Sequence, residues 1–176
     1  MHYAPQHPIH YLIGSTVYAP AVMKRWRMEP FEYQIRYLFL YASLAGAMGL
    51  TTMNLHTAVS MFCFFVFIIG LMSLPAALFD MNTSVVAAIR ENFGGAIIAF
   101  HGFLITYLAI YTTILAVTVP LGFWTVPLSA ATTALPLALI VGYSMQLVVL
   151  VKPSLPWGLV PGLSIGGFML AYWVQI

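Results

Sequence analysis

Two histidines stand inside long apolar runs of this sequence, His56 and His101. An imidazole in hydrocarbon is a candidate ligand or proton carrier, because a polar group there is costly unless it has a partner or a task. Two on neighbouring helices suggest a b-type haem. Depth argues against one haem held within one chain. His56 falls at the outer end of its run, and His101 about five residues above the inner end of its own, roughly 8 Å deep. Across a core about 30 Å thick, the two rings are roughly 20 Å apart. Each stays available to a haem or pigment shared with another subunit. The ordinary reading of both is a hydrogen-bonded packing histidine.

Three polar residues fall at the depth of His101 when counted inward from the same side: Tyr41, Ser73 and Gln146. Together they form a candidate polar layer, suited to a proton relay or to interhelical hydrogen bonding. No carboxylate lies deep in any apolar run, which favours the second role. At the N-terminus, His2, His7 and His10 are candidate ligands for a transition metal, though their spacing fits no specific metal motif. Asp80, Asn82 and Glu91 are too few for a calcium loop and read as caps and interface solvation. Cys63, within Phe62-Cys63-Phe64-Phe65, reads as a buried small hydrophobe.

The elements that must carry these residues follow from composition. Of 176 residues, 62% are apolar and 6% charged, and the mean hydropathy is +0.96. A soluble domain carries about a quarter charged residues. Six Lys and Arg do not serve a nucleic-acid binder, and one cysteine makes no disulfide scaffold. The chain reads as an all-α integral membrane protein, a bundle of about five transmembrane helices. The runs are Gln34–Leu50, His56–Phe79, Ala96–Val119, Val126–Val151 and Trp157–Ile176. They make a transmembrane domain over residues 31–176. Residues 1–30, with Pro5, Pro8 and Pro20 and no basic residue before Lys24, read as a non-spanning surface arm and not as a signal peptide. Residues 80–95 read as an interfacial segment, a short helix ending near Gly94 with Val85, Val86 and Ile89 turned to lipid or a partner.

All six basic residues fall on one side of a five-span arrangement. The excess of Lys and Arg in cytoplasmic loops then puts the N-terminus in the cytoplasm and the C-terminus opposite. A bacterial or archaeal cell membrane is the expected setting, with an organelle membrane as the other. Small-residue faces mark helix contacts at Ala42, Gly46 and Gly49, and at Gly162 and Gly166. The reading that unites these features is a non-catalytic subunit of a larger membrane complex, of an energy-transducing or metal-dependent oxidoreductase kind. Its partners are the bilayer with bound lipid, and other membrane subunits or further copies, with no nucleic acid. No cofactor of its own is expected. The alternatives are an oligomeric transporter or channel component and, last, a membrane enzyme using His101 or Asp80.

Overall fold

The structure, a computed structural model, describes Arg25, Glu32, Gln34, Arg36 and residues 38–80, 84–122 and 130–174. Most of the described residues are helical, and no strand occurs among them. The expected arm over residues 1–30 lies outside them, apart from Arg25.

The first helix, α1 (Leu38–Thr52), ends at Met53, which sits at φ 50°. The Asn54 N–H donates to the Gly49 carbonyl at 3.0 Å, and the Met53 N–H to the Leu50 carbonyl at 3.2 Å. That pair of bonds closes a helix through a left-handed residue. Asn54 then starts α2 (Leu55–Phe79): its Oδ1 accepts from the His56 N–H at 2.9 Å. Pro75 lies inside α2 and offers no N–H to the Leu71 carbonyl. Ser84 caps α3 (Val85–Leu121), which ends at Pro120 and a left-handed Gly122. After a helical turn from Ala130 comes α4 (Ala134–Val151). Pro153 and Pro156 separate it from α5 (Leu159–Trp173).

Among the described residues, three segments are long and apolar enough to cross a membrane: Leu55–Phe79, Val85–Leu121 and Ala130–Val151. The other two helices have 15 residues each, about 22 Å at 1.5 Å per residue, short of a core about 30 Å thick.

The helices pack as a chain of neighbours: α1 on α2, α2 on α3 and α4, α3 on α4, and α5 on α4. Their core joins Tyr41 and Ala45 of α1, Phe65, Ile68, Ile69 and Met72 of α2, Ala96–Phe100 of α3, and Leu147 and Val148 of α4. Contacts to small residues set the close approaches. Gly49 lies on Ala58, Gly142 on the Ser164 hydroxyl, and Gly94 on the Gln34 side-chain amide. Seven residues beyond Gln34, Tyr41 meets His101, itself seven beyond Gly94. Residues seven apart share a helix face, so the two segments run in the same direction and in step.

Two expectations need correction. No helix stops at Gly94: α3 runs unbroken for 37 residues, and the expected interfacial helix is its first turns. Val85 and Val86 are exposed there as foreseen, but Ile89 is only half-exposed, and Ala88 and Asn92 are fully buried. Gly94 serves as the dock for Gln34 and not as a terminator. Cys63 is exposed and not buried. In a chain whose outer surface is itself apolar, apolar neighbours do not mark the interior.

Candidate functional site

The most enclosed polar arrangement among the described residues is the meeting of Tyr41 and His101. Tyr41 is 1% exposed and His101 4%. The Tyr41 hydroxyl lies against Nδ1 of His101 and 3.4 Å from its Nε2. Nδ1 is also 3.0 Å from the Ile97 carbonyl, one turn back on α3. Nδ1 thus faces two groups: a hydroxyl that can donate to its lone pair while the ring proton is on Nε2, and a carbonyl that can accept from it once Nδ1 is protonated. The phenol ring stands edge-on to the imidazole, with centroids 5.1 Å apart.

Aromatic rings surround the pair. Tyr41 is 5.9 Å from Phe65 and 5.3 Å from Phe100. From Phe100 a row of rings climbs α3 through Phe103, Tyr107 and Tyr111, at spacings of 5.6, 6.0 and 5.7 Å. These positions recur every three or four residues and so share one face of the helix. The row begins in the core and reaches half-buried positions at Tyr107 and Tyr111. The 3–4 spacing was the available signal for it. Beside the row, Thr106 and Tyr143 join α3 to α4 through their hydroxyls at 2.7 Å.

Two members of the expected polar layer do not join this pair. Ser73 is buried, and its hydroxyl donates to the Gly70 carbonyl of its own helix at 2.7 Å. Gln146 is half-buried, and its side-chain carbonyl is buried without a hydrogen-bond partner. His56 is exposed on the first turn of α2, with Ser60 3.4 Å from its Nδ1, beside an open groove of about 450 Å³ lined also by Met61 and Phe64. It is not brought to His101. His2, His7 and His10 lie outside the described residues, and no group of three His, Cys, Asp or Glu side chains assembles among the rest. On the small-residue faces, Gly49 is buried against α2, Ala42 is exposed, and Gly46, Gly162 and Gly166 face open space.

Sequence reasoning missed Asn92. It is fully buried, and its amide donates to the Ala88 carbonyl at 2.8 Å and to Asp80 Oδ2 at 3.2 Å. The pair ties the end of α2 to the second turn of α3. Its Oδ1 has no hydrogen-bond partner. Lys152, after α4, stands 5.5 Å from the Phe79 ring centroid at the same end of α2.

Comparison with protein-family models, curated proteins and solved structures finds no match.

Proposed function

We propose that this chain is a helical subunit of a larger membrane complex, one that packs against and stabilises partner subunits. In this reading all five apolar runs of the sequence span the bilayer, the first and last extending beyond the described bounds of α1 and α5. The arm over residues 1–30 lies on a partner, the N-terminus faces the cytoplasm, and the C-terminus faces the opposite side. The observation that carries it is α5. That helix has no buried residue, packs chiefly on α4, and turns Gly162 and Gly166 to open space. Lipid gains nothing from a small-residue face, whereas another helix gains close contact there. An energy-transducing or metal-dependent oxidoreductase complex is the setting that this reading favours.

Extraction in mild detergent, followed by identification of the copurifying chains, tests the proposal. The expected result is co-migration with other membrane subunits that Gly162→Leu weakens. A lone chain or a homo-oligomer that moves a solute in liposomes would replace it with the transporter reading. Orientation has its own test in a Cys63→Ala background. Met53→Cys should react with an impermeant thiol reagent from outside and Lys152→Cys only from the cytoplasm; the reverse pattern overturns the assignment.

A further inference from the structure

We propose that Tyr41 is a redox-active tyrosine: a high-potential one-electron oxidant outside the bundle draws an electron from it along the ring row of α3, while its phenolic proton passes to His101. This does not depend on the subunit reading, since both partners and the row belong to one chain.

A phenol surrendering one electron becomes a strong acid. In an apolar interior an unrelieved radical cation is prohibitive, because a buried charge without a partner costs far more than one in water. Oxidation of a buried tyrosine therefore needs a base in hydrogen-bond contact. Tyr41 has that base in the His101 imidazole. The hydroxyl faces Nδ1, so the neutral ring carries its proton on Nε2 and offers the Nδ1 lone pair to the phenol. The step balances. One electron leaves the phenol for the oxidant, the O–H bond breaks, and an Nδ1–H bond forms. The products are a neutral phenoxyl radical, an imidazolium and the singly reduced oxidant. The new Nδ1–H of the imidazolium lies 3.0 Å from the Ile97 carbonyl, which can accept a charge-assisted hydrogen bond from it. Re-reduction returns the proton over the same short distance.

The electron also needs a route, and the pocket is sealed. The rings of Phe100, Phe103, Tyr107 and Tyr111 supply it, each centroid within 6.0 Å of the next. The last two are phenols and can themselves carry the hole. Packing alone would explain a buried cluster of rings. It does not call for a row that leaves the core along one helix face, with its buried end closed by a proton acceptor.

The test uses the full chain purified in detergent, oxidised by photogenerated tris(bipyridine)ruthenium(III), with the product trapped and read by electron paramagnetic resonance. A neutral tyrosyl signal is expected, with a coupling to the imidazole that ¹⁵N-histidine labelling alters. Tyr41→Phe should remove most of it. His101→Gln keeps a hydrogen bond but no site for the proton, and should cut the radical yield at least tenfold. Tyr107→Phe with Tyr111→Phe should slow its formation several-fold without changing its spectrum. A full-size signal in Tyr41→Phe would place the radical elsewhere. An unchanged yield in His101→Gln, or a signal blind to ¹⁵N-histidine, would overturn the pairing. The labelling result stands on the unmodified protein, so it decides the matter even if a variant fails to fold.

Discussion

The two halves of α3 are both apolar and meet opposite fates. Between Ala88 and Phe103 most residues are buried; from Leu104 to Leu121 none is. Hydrophobicity does not separate them. The inner half carries Ala88, Gly94, Gly95, Ala96, Ala99 and Gly102, so neighbouring backbones and side chains can come close. The outer half has no glycine and shows Ile105, Leu108, Val117 and Val119 on its surface. Its threonines also need no neighbour: Thr112, Thr113 and Thr118 each donate to a carbonyl one turn back, at 2.7 Å. Between helices in lipid there is little hydrophobic drive, so small residues and interhelical hydrogen bonds decide which stretch finds partners.

Substitutions in the two halves can break or sharpen this contrast, each read as thermal unfolding of the detergent-solubilised chain. Phe100→Ala opens a cavity between α1, α2 and α3 and should cost about 3 kcal/mol. Leu108→Ala, its counterpart in the outer half, should cost less than about 0.5 kcal/mol. Equal losses from these two would erase the distinction. Gly94→Leu drives a side chain into the Gln34 amide and should cost about 2 kcal/mol. His101→Leu leaves Tyr41 without its partner and should cost about 1 kcal/mol, while His101→Gln should stay closer to the native midpoint. Tyr143→Phe removes the bond to Thr106, the outer half's one hydrogen bond to α4 among the described residues. About 0.5 kcal/mol is expected there. A larger loss would show that the outer half depends on α4 more than its burial implies.

Helix positions were legible in the sequence because their breaks are chemical: Asn54 caps, Gly122 turns left-handed, and Pro153 and Pro156 interrupt. The depth count set Tyr41 beside His101, and the structure joins those two side chains. It could not say that Ser73 would turn back to its own helix while Gln146 stayed apart. Depth fixes height along a bundle, but the direction of a side chain depends on helix rotation, which a uniformly apolar helix does not encode. The same lack of amphipathic contrast hid the exposure of Cys63. Gly94 misled for a different reason. A glycine read alone suggests a stop, and only the distant Gln34 reveals it as a seat.

The seven-residue step shared by Gln34–Tyr41 and Gly94–His101 also bears on how the chain is made. A ribosome delivers α1 and α2 well before residues 94 and 101 emerge. During that interval the α1–α2 hairpin holds Gln34 and Tyr41 with their α3 counterparts not yet synthesised. The arrival of α3 closes both contacts at once, because one axial alignment satisfies the pair and a slip of one turn satisfies neither. Nascent chains stalled before residue 94 should therefore be the ones that membrane quality-control proteases remove fastest.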